Sequence, residues 1–310
     1  MKLTSTSSTS TVGSFWYDTS SKTIKFTGCA GVWSSGSNLP MAFYANAGFG
    51  TQNAAVSVGG LPTFSCTFEY NGSSWSSGCA LNLPRFAASV AGTQNEGIIF
   101  GGVNPSTGNN TCTEEYNGSS WTSVCNKIFP TTQNMGAGTQ NATLSIGTPT
   151  LPSLFTEKYN GTSWSQSDSL VLNMVEGYGT VGTQNETLTI GTATGQTVIP
   201  LLQEYNGISW SIGINQINQL SLGQSFGTQN DAITQGGDYC GPPQEYSSTC
   251  TYGYDGIAWS VCNSSINRRR YGAGAGSASS GLVFAGFAPT NGNLCSTEEF
   301  SCGIYVASLS

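Results

Sequence analysis

The side chains able to do covalent or proton chemistry are ten cysteines, sixteen carboxylates and nine basic groups; histidine is absent. Without an imidazole, Ser-His-Asp and Cys-His hydrolysis and histidine-ligated zinc or copper are excluded. No Cys-x-x-Cys occurs, so a zinc site lacks its ligand pattern, and neither metal nor cofactor is expected. Glu69, Glu115, Glu204 and Glu299 each stand immediately before an aromatic residue, which raises the carboxylate pair of glycoside chemistry. Their recurrence argues the other way. A residue present once per repeat at one strand position holds neighbouring units together, whereas a catalytic pair breaks the repeat. The chain therefore reads as non-enzymatic.

Charge narrows the partners. Charged residues make up only 8% of the chain and the net charge is -7, so there is no basic surface for a phosphate backbone and nucleic acid is not expected. The cluster Arg268-Arg269-Arg270 reads as a solvated loop. No stretch approaches 18 apolar residues, so no membrane insertion is expected, and Met1-Lys2-Leu3 with its Ser/Thr run shows no secretory signal.

The elements that position these groups follow from a repeat. Gly-Thr-Gln-Asn begins at Gly50, Gly92, Gly138, Gly182 and Gly227, each time before an apolar stretch. An aromatic, then Asn-Gly or Asp-Gly, then a tryptophan follows: Tyr70 to Trp75, Tyr116 to Trp121, Tyr159 to Trp164, Tyr205 to Trp210 and Tyr254 to Trp259. A sixth unit is degenerate, with Gly276-Ser277-Ala278-Ser279 and later Thr297-Glu298-Glu299-Phe300, and it lacks its own tryptophan. In the second unit, Phe86–Val90, Gly97–Gly101, Thr113–Tyr116 and Trp121–Cys125 read as four short strands split by turns. Four strands every 45 or so residues, six times, predict an all-β, six-bladed β-propeller over residues 31–310. Gly31 to Gly36, around Trp33, supplies the missing sixth outer strand and closes the ring, covering the open edges. Residues 1–30 form a separate N-terminal arm and short β-hairpin, with Phe15–Asp18 opposite Lys22–Phe26.

The glycine pairs Gly59-Gly60, Gly101-Gly102 and Gly236-Gly237, with the later aromatic and tryptophan, resemble the kelch type of propeller. Gly-Thr-Gln-Asn, the apolar run, Gly-Gly and Glu-Glu-Tyr-Asn-Gly-Ser-Ser-Trp together resemble kelch-like repeats of structural proteins of bacteriophages, notably those of cyanobacteria. Phe15-Trp16-Tyr17-Asp18-Thr19 is similar to segments of phage fibre and tail proteins. Units three and four carry Gly147-Thr148 and Gly191-Thr192 in place of the glycine pair. The resemblance implies a virion protein on an extracellular particle, of tail or fibre type, and no catalytic residue. Tyr-Asn-Gly-Ser-Ser-Trp is also faintly similar to the turn of sialidase propellers, but their several arginines around one carboxylate are missing.

Propeller strands alternate, so the Gly-Thr-Gln-Asn and Asn-Gly turns fall on one uniform face. The loops between second and third strands fall on the other, with the blade connections. Those loops, Leu61–Ser65, Val103–Thr111, Thr148–Leu154, Thr192–Pro200, Asp238–Thr249 and Phe287–Leu294, vary over a regular frame, which is where recognition is usually found. Asn104, Asn109, Asn110, Asp238, Tyr239, Asn291 and Asn293 offer hydrogen bonds with little charge, suited to a neutral host-surface glycan. Two readings follow: a receptor- or glycan-binding propeller, and a structural or decorating virion protein. Both place other virion proteins against the N-terminal arm and leave the oligomeric state open. Asn71-Gly-Ser, Asn117-Gly-Ser and Asn160-Gly-Thr fit a glycosylation sequon but are also what the turn requires.

With four-residue Asn-Gly-Ser-Ser loops, Tyr70 faces Trp75 and Cys66 faces Cys79; in the next unit Cys112 faces Cys125. Each bridge would close about 14 residues, worth roughly 3 kcal/mol. Cys250 and Cys262 are offset by one position and need a bulge. Cys29 with Cys302 would lock the ring, while Cys240 pairs with Cys295 or Cys250. Such bonds suit a particle assembled in a reducing cytoplasm and oxidised after lysis. The expected outcome of non-reducing intact-mass analysis on protein from mature particles is fewer than ten free thiols; ten would remove the pairing.

Overall fold

The computed structural model describes the chain except residues 1–14, 19–22, 30, 63, 131–134, 148–153, 175–178, 195–196, 218–219, 240–246, 303 and 310. Residues 15–18, 23–29, 192–194, 197–199, 220–221, 239 and 304–309 are described in backbone alone. Six four-stranded antiparallel sheets stand around an axis as the blades of a β-propeller. The innermost strands are Ala47–Thr51, Ser89–Thr93, Met135–Thr139, Gly179–Gly182, Gln224–Thr228 and Ala273–Ser277, each packed on its neighbour around the ring. Third strands, such as Thr67–Tyr70 and Thr113–Tyr116, lead through the Asn-Gly turns to outer strands that begin at the tryptophans.

Val32–Ser35 is the outer strand of the sixth blade, with Trp33 opposite Phe300. The ring is thus closed by the N-terminal strand. The third strand of a blade runs toward the uniform face, so Ser301 ends there, and Val32, directly opposite, starts there. Both chain ends therefore leave the propeller from the face of the repeated turns. Beyond them, Phe15–Asp18 pairs with Thr23–Cys29 as expected, and the C-terminal Ile304–Leu309 adds a third strand. Sequence reasoning did not foresee that strand. Two other boundaries shift: the innermost strand of blade two starts at Ser89, Phe86 making only an isolated bridge to Val103. Thr192–Pro200, read as a loop, extends the blade-four hairpin, with Thr192 opposite Ile199 and Thr194 opposite Thr197.

Burial follows position. Second strands such as Glu96–Phe100 are buried almost throughout, because neighbouring blades cover both of their faces, while outer strands such as Trp121–Ser123 bury only the tryptophan; in blade five Trp259 is half-buried and Cys262 is buried instead. Each Tyr-Trp pair stacks, as in Tyr116–Trp121 at 4.7 Å, and packs on the preceding blade, where Trp121 meets Phe49 edge-on and Trp164 meets Phe100. The indoles are anchored as well as buried: Trp75, Trp121 and Trp164 donate to Thr297, Thr67 and Thr113 of the preceding blade at 2.9–3.0 Å.

The repeated polar residues are clamps between blades. Gln94 Nε2 donates to the Ala55 and Tyr70 carbonyls of the preceding blade, and Gln52, Gln140, Gln184 and Gln229 do the same at their own seams. The glutamates before the aromatics accept from the next blade's tyrosine: Glu299 from Tyr70, Glu115 from Tyr159 and Glu204 from Tyr254 at 2.6–2.8 Å, and Glu69 from Tyr116. Where Gly253 replaces the glutamate, the next aromatic is Phe300, which has no hydroxyl to satisfy. Gly50 shows why the repeated turn begins with glycine. Its φ is +107°, and a Cβ there would lie 2.2 Å from the Ala54 carbonyl oxygen.

Buried ions tie the blade entries to the third strands. Arg85 pairs with Glu114, Lys127 with Glu157 at 3.2 Å and Arg269 with Glu298 at 3.0 Å, all essentially without solvent exposure. This corrects the solvated-loop reading of residues 268–270 at Arg269, which is buried, and at Arg270, which is ion-paired, while Arg268 is exposed. Arg269 sits at the repeat position of Arg85, and its guanidinium also donates to the Ala285 and Ser296 carbonyls.

The hairpin register is the expected one, Tyr70 opposite Trp75 and Tyr116 opposite Trp121, yet Cys66, Cys79, Cys112 and Cys125 are free thiols. Both partners of each pair lie past the paired strands, and the Cys125 thiol donates instead to the Thr162 carbonyl of the next blade. Cys250 and Cys262 are also free, because Cys262 stands opposite Thr251 with no bulge to shift it, and Cys295 is free. Cys302 is disulfide-bonded, while the side chain of its expected partner Cys29, and all of Cys240, lie outside what is described.

Gln94→Leu removes two hydrogen bonds and leaves two carbonyls facing an apolar group, so a loss of about 1–3 kcal/mol is expected in equilibrium denaturation. Arg85→Met, which strands buried Glu114, should cost about 3–5 kcal/mol, and the double variant Arg85→Met/Glu114→Leu less. Burial first, then the hydrogen bond and charge of Glu299 or Glu204, push the Tyr70 and Tyr254 hydroxyls up to about 12 from an ordinary value of 10.0. The unfolded chain therefore releases these protons first as pH rises. The tyrosines' contribution is complete below about pH 10 and is lost as pH climbs through about 12. Denaturation midpoints should fall across that window, and less steeply in Tyr254→Phe.

Candidate functional site

The structure separates the residues singled out on the variable face. Asn104 is buried and holds its own loop, donating to the Pro84 carbonyl at 2.8 Å and accepting from the Ser106 and Thr107 amides. Asn110 is likewise buried between the Gly102 carbonyl and the Cys112 amide. Their hydrogen-bonding groups are occupied, so neither is a binding residue. Asn109 is exposed on the small Val103–Asn109 hairpin, and exposed Asn291 and half-buried Asn293 sit on the matching hairpin of blade six. Tyr239 stands opposite Leu220 in backbone. Asp238 alone is drawn into a cluster, accepting from Arg270 Nη1 at 2.7 Å.

That cluster belongs to a cleft that sequence reasoning missed. Tyr44, Leu61, Phe86, Arg270, Tyr271 and Phe287 enclose about 330 Å³ on the variable face, with Ala45 and Ala87 at its inner edge. The entry segments build it. Tyr44, Phe86 and Arg270 each lie just before an innermost strand, and each bridges to the loop between second and third strands: Tyr44 to Leu61, Phe86 to Val103 and Arg270 to Phe287. The Tyr44 ring is 6.2 Å from Tyr271 and 5.9 Å from Phe287, and Phe64 extends the aromatic wall to Phe86. The Arg270 guanidinium lies over Tyr271 and Phe287 at 5.4 and 5.0 Å from the ring centres. Its charge is matched by Asp238, whose own carboxyl is pushed up by burial in spite of the arginine. The cleft is thus rich in ring faces and close to neutral. The signal for it was present: Tyr44, Phe86 and Arg270 occupy one repeat position, one residue before an αL backbone.

Toward the axis the cleft adjoins a second space. Ala45, Ala87, Leu222 and Tyr271 all have φ between 50° and 59°, and they form a belt of backbone hydrogen bonds around the mouth. Tyr271 N donates to Leu222 O, Ala45 N to Tyr271 O and Ala87 N to Ala45 O, at 2.7–3.0 Å. Left-handed backbone at a non-glycine residue costs of order 1–3 kcal/mol, and the belt holds it in place. Inside lies a cavity of about 230 Å³, with Asn46, Ser89, Thr180, Gln224 and Ser225 among its walls and, among the described residues, no charged side chain. Among the described residues, no group of three His, Cys, Asp or Glu side chains is placed to hold a metal ion. Among the described residues, Arg270 is the charged side chain that lines the cleft. This mouth can stack and hydrogen-bond a ligand.

No family model matches the chain, and no curated protein matches it. Solved structures do, among them that of YjhT, with a TM-score of 0.72 at 13% identity over 87% of this chain and 99% of that one. At that identity the likeness carries the fold, a six-bladed β-propeller, and the fold alone.

Proposed function

We propose that the chain is a non-enzymatic recognition propeller of a phage particle, of tail or fibre type, which holds a neutral host-surface glycan at the mouth of its variable face. The aromatic cleft carries this reading. Ring faces of Tyr44, Phe86, Tyr271 and Phe287 offer flat apolar surface to the C–H faces of a sugar, and the Arg270–Asp238 pair offers hydrogen bonds without net charge. The exit of both chain ends on the opposite face supports it, since a body attached through residues 1–30 leaves the cleft pointing away. The phage assignment rests on the kelch-like repeat and the N-terminal segment.

One observation favours the second reading, a structural or decorating virion protein. Blades one to three have Ser or Thr in their outer turns, whereas Ile208 and Ile257 stand there in blades four and five, 75% and 74% exposed, beside exposed Ile212, Ile214 and Val261. Such a patch suits assembly.

Adsorption to isolated bacterial envelope polysaccharide separates the two. Saturable binding is expected, reduced at least about tenfold in Tyr44→Ala/Phe287→Ala with circular dichroism unchanged. Absence of adsorption at micromolar concentration, even for multimerised protein, would favour the structural role.

A further inference from the structure

The cleft and the axial cavity adjoin and share part of their walls. Ala45, Ala87 and Tyr271 belong to the walls of both, so whatever lies on the aromatic rings abuts the cavity mouth. The two parts differ in chemistry. The cleft is aromatic and open, whereas the cavity is walled by short polar groups. Asn46 and Ser89 are more than nine-tenths buried, and Asn46 Oδ1, Ser89 Oγ and Thr180 Oγ1 have no hydrogen-bond partner. Buried polar atoms are normally satisfied, so this lining has hydrogen-bonding capacity left for an occupant.

Size and charge restrict that occupant. About 230 Å³ is below the roughly 300–1,000 Å³ of pockets for drug-sized ligands, and suits one small ring. Further along the axis the space contracts to about 120 Å³, lined largely by glycines of the innermost strands, among them Gly50, Gly92 and Gly138. A carboxylate placed in the cavity would be desolvated with no cation to meet it, a cost of several kcal/mol. Hydroxyl and amide groups would pair with the unused lining at no such cost.

We propose that the axial cavity receives the terminal residue of a neutral saccharide chain whose following residues lie across the aromatic cleft, so that the protein reads chain ends. This rests on the glycan-binding reading of the same mouth and adds to it which part of the glycan is bound. Val90 and Ser225 line the cavity and are not among the cleft's walls, so bulk introduced there closes one part and spares the other.

The test uses the full chain and calorimetric titration with neutral hexoses, N-acetylhexosamines, and their linear and cyclic hexamers. The expected result is binding of a linear hexamer at least about tenfold tighter than the cyclic hexamer of the same sugar. A linear hexamer whose terminal residue is oxidised to a uronic acid should lose a similar factor. Val90→Phe should abolish the preference for linear over cyclic while retaining the weaker binding of both. Ser225→Leu serves the same purpose if Val90→Phe disturbs the fold by circular dichroism. Equal affinity for linear and cyclic forms, or a preference untouched by either cavity variant, overturns end recognition and leaves the glycan reading standing. Absence of binding by every sugar overturns both.

Discussion

At every seam where a blade with a Gly-Thr-Gln-Asn turn meets its predecessor, a glutamine amide crosses the gap and donates to the carbonyls of two strands of the preceding blade. A propeller blade cannot bury its second strand alone, so its neighbours must be fixed at a set angle and height. Dispersion between Trp, Tyr and Phe supplies the attraction without specifying that alignment. The glutamine does, because its two bonds are satisfied only when a carbonyl of the second strand and one of the third stand side by side. At four of these seams, those of Tyr70, Tyr116, Tyr159 and Tyr254, a tyrosine-to-glutamate bond adds a second tie. Blade six, with buried Ala278 where the glutamine would be, is aligned instead by Trp33 of the closing strand, which donates to Thr251 of blade five and the Asn263 carbonyl.

The fold was legible because it is written several times over. Repetition exposed the blades, the missing tryptophan of unit six pointed to Trp33 as its replacement, and the recurrence of glutamate before the aromatic marked it as structural, which its bonds to the next tyrosine bear out. The parts left unread are those that occur once or break the pattern. Ile304–Leu309 joins a sheet with a segment almost 300 residues away, and no local period announces such a pairing. Arg269 is buried because Glu298 lies opposite it, 29 positions on, and a run of three arginines read in isolation gives no hint that the middle one faces inward.

The candidate recognition surface was legible only as a region. Amide side chains in variable loops suggest hydrogen bonding to a partner, but Asn110 spends its amide on the Gly102 carbonyl beside its own hairpin and Asn104 on the Pro84 carbonyl of the blade entry. The aromatic residues of the entry segments were passed over because apolar side chains at strand boundaries read as core. They line a cleft because the belt of left-handed residues turns each entry sharply inward, leaving the preceding side chain at the rim. Backbone geometry at Ala45, Ala87 and Tyr271, which alanine and tyrosine give no reason to expect, thus decides where the surface lies.

The closure of the ring by Val32–Ser35 also determines how the molecule bears load. Both ends leave at the same corner of one blade, so traction applied through the N-terminal end against the opposite face would run lengthwise along Val32–Ser35. Force in that direction shears the four facing pairs from Val32–Ser301 to Ser35–Glu298 together instead of peeling them in turn. The seam that completes the fold is therefore oriented to resist a lengthwise pull.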